Sequence, residues 1–199
     1  MQLMLTPTSP YARVVRVALM LKGLDDECSM HWVDPPSDTP ELIHANPTSR
    51  VPVLMLDDGT PLTETMLIIH YLERRKPTPT LLPASQLYQE LSLAGKAMGL
   101  IDAAFWLAFN QRFGGKGADE GNELAIRREQ AIKRTLEELN VNPPHPVKGL
   151  PGLGQITLQV ALEYIEFRMP KFGPFADPAM QTWSKELRTL DAFHLTEFH

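Results

Sequence analysis

The sequence predicts two structural classes in succession: an α/β domain with a small mixed sheet, followed by an all-α helical bundle. Three observations support this prediction. Short apolar runs alternate with segments of helical period up to about residue 76. Two prolines then fall close together at Pro77 and Pro79, and beyond residue 86 helix-forming residues dominate. We therefore expect one domain over residues 1–76, a linker over residues 77–86 and a helical domain over residues 87–199.

The first half is predicted to run β-α-β and then α-β-β-α, which implies a small mixed sheet covered by helices. Pro10 suits the first turn of the first helix, and Gly23 is a natural stop after it. The Asp-Gly pair at residues 58–59, between two apolar runs, is a strong hairpin signal. The predicted strands are residues 2–5, 28–33 and 61–62, together with an apolar strand that follows a turn within residues 46–56. The predicted helices are residues 10–22 and 64–75, with one irregular helical turn at residues 41–45.

The second half is predicted to contain long helices and no strands. A glycine-rich run at residues 114–117 and a proline-rich run at residues 143–146 separate the helical segments. The predicted helices are residues 87–113, 120–139, 153–167 and 178–190.

Composition excludes several classes of function. The formal net charge is -5, and the acids and bases are scattered, so nucleic acid and anionic membranes are not expected partners. No apolar leader with a basic flank and no long uninterrupted apolar run is present, which predicts a cytoplasmic protein. The single cysteine, Cys28, excludes an internal disulfide, and the six histidines form no HExxH pair, so no metal is expected.

Val51-Pro52 is the most informative dipeptide, because a proline that enters a strand removes a hydrogen-bond donor and is tolerated at an edge or bend. An isolated X-Pro bond is cis in about 5% of cases, so local sequence favours a trans proline at the start of an edge strand. A cis bond would instead turn the N–H and C=O of Val51 outward, toward an extended peptide ligand. Local sequence leaves both possibilities open.

Ser9 stands between the first strand and the first helix. Unpaired N–H groups and the helix dipole favour negative charge at such a position. The Ser9 hydroxyl could cap the helix, donate a hydrogen bond to a bound thiolate, or do both. A free thiol titrates near pH 8.5, and each unit by which a site lowers that pKa stabilises the thiolate by about 1.4 kcal/mol.

Glu64 and Thr65 open a predicted helix, where an acid commonly complements the dipole. Alternatively, they could capture an amino-acid head group. The Glu64 carboxylate would take the ammonium, and the Thr65 hydroxyl and backbone N–H groups would take the carboxylate. Arg50 lies beside the proposed peptide edge and could pair with a ligand carboxylate or remain solvated.

Four aromatic residues are candidates for an apolar pocket. Phe105, Trp106 and Phe109 share a predicted helix, and Tyr11 follows Ser9 by two positions. Aromatic residues at such spacing are commonly core residues, but some could line a pocket for an apolar ligand.

Residues 8–16, 46–54 and 62–68, with the proline-rich linker, resemble the cytosolic glutathione S-transferases in sequence, order and spacing. Residues 153–168 look like the buried helix of that family. The resemblance therefore covers nearly the whole chain. It implies a thioredoxin-like glutathione-binding domain followed by the family's all-helical domain.

The resemblance also implies roles for individual residues. Ser9 would be the catalytic hydroxyl that donates to the glutathione sulfur, as in the serine-using theta, zeta and tau-like classes. Val51 would pair with the cysteinyl backbone before a cis Pro52. Glu64 and Thr65 would hold the γ-glutamyl group.

Arg50 would stand near the glycyl end or the backbone of glutathione. Tyr11, Phe105, Trp106 and Phe109 would contact a small electrophilic second substrate. The resemblance further implies a cytoplasmic homodimer that uses glutathione as its co-substrate and no metal.

Three departures from the family pattern accompany the resemblance. Met98 stands before Gly99 where related bacterial sequences often have Asp, although Asp102 follows one turn later. Gly152 and Gln155 replace the usual Ser/Thr-x-x-Asp capping box, which predicts a weaker helix start. Thr8, next to Ser9, could be the acting hydroxyl if the turn is shifted by one residue.

These observations predict an enzyme that activates the glutathione thiol for attack on a small apolar electrophile. Two alternatives remain open. One is a binding or regulatory protein of the same fold without transferase activity. The other is a glutathione-dependent reductase or isomerase, which differs only in the electrophile.

Overall fold

The computed structural model describes residues 1–115, 117–147 and 149–199, so Lys116 of the predicted glycine-rich boundary lies outside the described residues. The chain divides into two compact units. The first unit consists of Met1–Pro83 together with Ala192–His199, and the second is Ala84–Asp191. The division near Pro83 falls within the stretch that the sequence predicts as a linker.

The first unit contains the predicted mixed sheet, and its elements follow the predicted order. The sheet has the strand order β2-β1-β3-β4, with β1 parallel to β2 and antiparallel to β3, and with β3 antiparallel to β4. The strands are β1 Gln2–Leu5, β2 Ser29–Trp32, β3 Val53–Met55 and β4 Pro61–Thr63, and the helices are α1 Pro10–Leu21, α2 Pro40–Ala45 and α3 Thr65–Arg75.

The core of the first unit lies on both faces of the sheet. Because strand side chains alternate, Leu3 and Leu5 share one face while Met4 occupies the other. Met4 and Val53 belong to a small apolar cluster with residues of α2, and the partly buried Val51 packs against it. This cluster anchors the segment that leads into β3.

A partly buried ion pair between Lys22 and Glu73 contacts the proline-rich segment after α3. The ammonium of Lys22 donates to Glu73 Oε1 at 2.6 Å and to the carbonyl of Pro79 at 2.7 Å. The Thr80 hydroxyl donates to Glu73 Oε2 at 2.6 Å. The segment predicted as a linker is therefore tied to α1 and α3 through these contacts.

The end of the chain belongs to the first unit because Arg13 of α1 holds it. Arg13 is only 2% exposed. Its guanidinium donates to Thr196 Oγ1 at 3.3 Å and to the carbonyl of Phe193 at 3.2 Å, and it lies 4.4 Å from the ring centroid of Phe198. The sequence alone assigns these residues to the helical domain.

The second unit is helical, as predicted. Its longest helix packs most extensively against α6, which is buried over most of its length. The helices that begin in this unit are α4 Leu87–Gly114, α5 Glu123–Val141, α6 Leu153–Arg168, α7 Pro178–Arg188 and the short α8 Asp191–His194.

Helix α4 is long and apolar enough, by length and composition alone, to cross a membrane. The sequence prediction concerned uninterrupted apolar runs, and Glu90, Lys96 and Asp102 interrupt this helix. The helix packs against α6 and α5, which makes it the core helix of the helical unit.

The start of α6 is capped from another helix. Gly152, at the N-cap, has no side chain to offer, and a Cβ added there would collide with the Glu90 carboxylate. Glu90, on α4 and 7% exposed, accepts a hydrogen bond at Oε2 from the backbone N–H of Gly154 at 2.7 Å. Gln155 Oε1 accepts from the Gly152 N–H at 3.2 Å. Glu90 therefore supplies the cap that the sequence of α6 lacks.

Candidate functional site

Ser9 caps helix α1 and keeps a donor available. Its Oγ accepts a hydrogen bond from the backbone N–H of Ala12 at 3.2 Å, and the residue is 7% exposed. A serine hydroxyl has two acceptor lone pairs and one O–H donor, so this cap uses acceptor capacity only. The O–H can still donate to an atom placed at the helix N-terminus. Capping and ligand contact are thus compatible.

Thr8, the alternative hydroxyl, is in a different environment. It is partly exposed and lies in the turn after β1, one residue before the cap. Of the two neighbouring hydroxyls, only that of Ser9 has a recorded cap bond to α1 among the described residues. The helix start therefore fixes the position of the Ser9 oxygen.

The loop before β3 is organised by Asn46, which sequence reasoning missed. Its side-chain amide donates to the Arg50 carbonyl at 2.9 Å, and its Oδ1 accepts from the Thr48 N–H at 3.2 Å and from the Thr48 hydroxyl at 2.9 Å. Asn is favoured in such turns because its side chain bonds the backbone two residues on. The Asn-Pro pair at residues 46–47 was the sequence signal that could have identified this turn.

Val51 follows this loop, and the Val51-Pro52 peptide bond is cis. Within the described residues, neither the N–H nor the C=O of Val51 has a hydrogen-bond partner. Its side chain packs on the apolar cluster, while Arg50 is exposed. A backbone donor and acceptor at residue 51 are therefore available to a ligand.

Glu64 is the N-cap residue of helix α3 and has an unusual backbone conformation. Its φ of 69° lies in the left-handed range that disfavours residues with a Cβ, and its exposed side chain makes no cap bond to the helix. Its carbonyl accepts from the N–H groups of Leu67 and Ile68. The Glu64 carboxylate is thus left outside the helix, where it can meet a cation.

Thr65 contributes differently from the sequence prediction. The residue is 2% exposed, and its hydroxyl donates to the carbonyl of Tyr11 on α1 at 3.2 Å. That contact ties the start of α3 to the first turn of α1. Within the described part of the chain, the N–H groups of Thr65 and Met66 have no acceptor. These backbone donors, rather than the hydroxyl, are the groups open to an anion.

The aromatic candidates lie in different units, with Tyr11 on α1 and the other three on α4. The rings of Phe105 and Phe109 lie 5.7 Å apart, and Phe109 is 47% exposed. Trp106 is partly buried, with the guanidinium of Arg128 4.5 Å from its ring centroid. Phe109 is therefore exposed enough to contact a ligand. Trp106, on α4, instead contacts Arg128 of α5.

Cys28 is buried, and burial raises the pKa of its thiol. The thiol therefore stays protonated at neutral pH, as expected for a small core residue. In the part of the chain that the structure describes, no three His, Cys, Asp or Glu side chains gather in a way that could hold a metal ion.

The N-terminal part of the chain is similar in sequence to known proteins. The family model for the N-terminal domain of glutathione S-transferases matches residues 8–75. Maleylacetoacetate isomerase from Pseudomonas aeruginosa is 40% identical over 83 residues, which cover 40% of this chain and 38% of that protein. Glutathione S-transferase U1 from Arabidopsis thaliana is 31% identical over 65% of this chain and 55% of that protein.

A solved structure extends the likeness to the whole fold. A glutathione transferase family member from Pseudomonas fluorescens Pf-5, determined with bound glutathione, superposes with a TM-score of 0.86 at 24% identity. The superposition covers 98% of each chain. Residues 8–75 therefore match a glutathione S-transferase N-terminal domain, and the chain as a whole has the fold of that glutathione transferase family member. The chain's matches to the two curated relatives span about half of their length or less.

Proposed function

We propose that this protein binds glutathione in its first unit and uses the Ser9 hydroxyl to stabilise the glutathione thiolate for attack on a small apolar electrophile. The observation that carries the proposal is the cap of α1, in which Ser9 Oγ accepts from Ala12 and keeps its O–H donor. Bound glutathione in the Pseudomonas fluorescens structure of the same fold supports it.

The proposed reaction begins at the sulfur. The glutathione thiol loses its proton to solvent, and the Ser9 O–H donates to the resulting thiolate at the positive end of the α1 dipole. Each unit by which this contact lowers the thiol pKa is equivalent to about 1.4 kcal/mol. The sulfur electron pair then forms a bond to an electrophilic carbon, and the leaving group departs with its electrons.

The γ-glutamyl end of glutathione would lie at the start of α3. The Glu64 carboxylate would pair with the ammonium, and the backbone N–H groups of Thr65 and Met66 would hold the carboxylate. The Thr65 hydroxyl would act indirectly, since it donates to Tyr11 and so positions the helix start.

The cysteinyl part of glutathione would pair with the N–H and C=O of Val51, next to the cis Pro52. Asn46 would position this edge through its bond to the Arg50 carbonyl. The exposed Arg50 side chain would approach the glycyl carboxylate.

Contacts to the electrophile stay a prediction from the sequence, with Tyr11, Phe105, Trp106 and Phe109 as candidates. Exposure favours Phe109 among the residues of α4. We expect Phe109→Ala to raise KM for an apolar electrophile while the glutathione affinity is unchanged. Tyr88→Ala, at the opposite end of α4 and 82% exposed, is the control.

The test compares Ser9→Ala and Thr8→Val with the wild-type protein by calorimetry and by conjugation rate as a function of pH. We expect Ser9→Ala to bind glutathione and to require a higher pH for conjugation, while Thr8→Val behaves as wild type. Absence of glutathione binding at millimolar concentration would defeat the proposal. Unchanged conjugation in Ser9→Ala, with loss in Thr8→Val, would reassign the hydroxyl.

A second candidate function is glutathione-dependent isomerisation, favoured by the 40% identity to a maleylacetoacetate isomerase. The same thiolate would add to a substrate and leave again, so glutathione would be regenerated. Product formation far in excess of added glutathione identifies isomerisation, and one glutathione consumed per product identifies transfer.

If this protein is a binding or regulatory protein without either activity, we expect it to bind glutathione and to convert no substrate. We expect a homodimer from the resemblance, and sedimentation of the full chain measures it. Stable capture of a protein partner, together with no turnover, would favour the regulatory alternative.

A further inference from the structure

The first turn of α1, which follows the Ser9 cap, is held by two long-range contacts within the first unit. The Thr65 hydroxyl, at the start of α3, donates to the Tyr11 carbonyl at 3.2 Å. The Arg13 guanidinium donates to residues within Ala192–His199, which we call the docked segment. The contact with the docked segment involves none of the groups assigned to glutathione.

The side chain of Arg13 is enclosed by the docked segment and is 2% exposed. Its Nε donates to Thr196 Oγ1 at 3.3 Å, and its Nη2 donates to the Phe193 carbonyl at 3.2 Å. The guanidinium carbon lies 4.4 Å from the ring centroid of Phe198. A guanidinium is planar and its donors have fixed directions, so contacts with three residues restrict its orientation.

The docked segment is itself ordered around Thr196, which is also 2% exposed. The Thr196 hydroxyl donates to the Ala192 carbonyl at 2.7 Å while it accepts from Arg13, and a hydroxyl can do both. Arg16, one turn after Arg13 on α1, donates to the Leu195 carbonyl at 3.3 Å. Two successive turns of α1 are therefore bonded to this segment.

The position of Arg13 connects the docked segment to the Ser9 oxygen. The backbone N–H of Arg13 donates to the Ser9 carbonyl at 3.0 Å, and the N–H of Ala12 donates to Ser9 Oγ at 3.2 Å. The residue held by the segment thus belongs to the same helical turn that fixes the Ser9 hydroxyl. A displacement of about 1 Å at a reacting group can reduce a rate about a hundredfold, so the placement of this turn matters.

We propose that the docked segment positions the Ser9 hydroxyl, with Arg13 and Thr196 as the positioning pair; the inference rests on the proposed contact of Ser9 with the glutathione thiolate. While the pair is bonded, the first turn of α1 stays in place and the O–H donates to sulfur. Loss of the bond lets the turn shift, which weakens this hydrogen bond and raises the pKa of the bound thiol. Both residues are buried, so neither contacts glutathione itself.

Thr196→Val tests the pair, because valine keeps the shape of threonine, changes no charge and removes the acceptor of Arg13. The ultraviolet absorbance of the thiolate is followed against pH for glutathione bound to the full chain. We expect the pKa of the bound thiol to rise by about 0.5, equivalent to about a threefold loss of thiolate below that pKa. Glutathione affinity, measured at a pH where the thiol is protonated, should stay unchanged.

Arg13→Lys is the second variant and should give the same rise. It keeps the positive charge but replaces the fixed guanidinium donors with a single ammonium, which cannot reproduce both bonds of Arg13. A rise in both variants therefore reports position rather than charge.

Thr157→Val is the matched control. Thr157 is fully buried on α6, and its hydroxyl donates to the Leu153 carbonyl at 2.7 Å, the same contact with the fourth preceding residue that Thr196 makes. It should lower the free energy of unfolding by a similar amount without changing the pKa of the bound thiol. In a Ser9→Ala background, Thr196→Val should also leave that pKa unchanged, because the hydroxyl it positions is absent.

The outcomes separate this inference from the proposed function. An unchanged pKa in Thr196→Val and Arg13→Lys, an equal rise in Thr157→Val, or a further rise in the Ser9→Ala background would each overturn the positioning role alone. Bound glutathione that titrates like free glutathione in the wild-type protein would overturn both. Circular dichroism of each variant establishes that the chain is folded.

Discussion

The first turns of helices α3 and α6 differ in whether their backbone N–H groups have acceptors within the protein. Every α-helix begins with N–H groups that have no partner inside the helix. At α6, the buried Glu90 reaches across from α4 and accepts from Gly154 at 2.7 Å. At α3, Glu64 has a φ of 69° and makes no cap bond, and the N–H groups of Thr65 and Met66 have no acceptor among the described residues.

The difference separates a structural helix start from one suited to binding. A buried donor without a partner is costly, so α6 is completed by the protein itself. The start of α3 instead keeps open donors and an unfavourable backbone conformation, which costs about 1–3 kcal/mol and is typical of ligand sites. The open helix start is the one to which we assign the γ-glutamyl group.

The largest effect is expected from Glu90→Ala. The substitution leaves the Gly154 N–H unpaired inside the helical unit and opens a cavity, so we expect the free energy of unfolding to fall by about 2–4 kcal/mol. Urea denaturation followed by circular dichroism measures this. A loss below about 0.5 kcal/mol would show that the cross-helix cap is not a source of stability.

Gly152→Ser provides the matched control for that cap. Alone, it should destabilise the protein, because the new Cβ meets the Glu90 carboxylate. Combined with Glu90→Ala, it should recover about 1 kcal/mol, because a serine at the N-cap restores a local acceptor. Additive losses in the double variant would refute this exchange of caps.

At α3, Glu64→Gly and Glu64→Ala distinguish backbone conformation from charge. Both remove the carboxylate, so both should weaken glutathione binding about tenfold, equivalent to about 1.4 kcal/mol. Only glycine adopts a φ of 69° without strain, so we expect the glycine variant to be more stable than the alanine variant by about 1 kcal/mol. Calorimetry and urea denaturation measure the two quantities, and equal stabilities would contradict the expectation.

The start of α1 combines features of the other two helix starts, because Ser9 caps the helix and also keeps an O–H donor for a ligand, and Ser9→Ala tests the cap. The cap bond to Ala12 is lost, and we expect a loss of about 1 kcal/mol in the free energy of unfolding. Ser9→Thr keeps an acceptor and should retain most of that stability. If alanine and threonine are equally stable, the Ser9 hydroxyl is not a significant cap.

The smallest expected effect is the pH dependence of the free energy of unfolding. Burial raises the pKa of Glu90, and hydrogen bonds from the backbone of Gly154 and Gln155 oppose that rise. A carboxyl with a folded-state pKa above its unfolded value contributes stability that is complete below the unfolded pKa and is lost as pH rises through the folded one. The stability of the wild type relative to Glu90→Gln should therefore decrease between acidic and neutral pH. An increase would contradict the assigned direction.

Local pattern was sufficient to predict the fold class and much of the chain's organisation. The switch from short apolar runs to helical spacing predicted the mixed sheet and the helical unit, both of which are confirmed. The place of Ser9 at a strand-helix junction predicted its cap. The cis form of Val51-Pro52 needed the family resemblance, because local sequence favoured trans.

Contacts between distant residues could not be predicted in this way. Glu90 and Gly154 are 64 positions apart, and Arg13 and Thr196 are 183 apart. The Thr65 hydroxyl is engaged by Tyr11, and only the folded chain shows this contact. Gly152 was the sequence feature that indicated such a contact for α6, because a buried helix without a local cap needs an acceptor from elsewhere in the chain.

The return of the chain end to Arg13 sets an order of events during synthesis. Phe193 and Thr196 leave the ribosome long after α1, once the whole helical unit has been made. Domains of a growing chain generally fold in order from the N-terminus. In this protein Arg13 can gain its hydrogen bonds to Phe193 and Thr196 only after the helical unit has been synthesised, so its guanidinium lacks these partners until then.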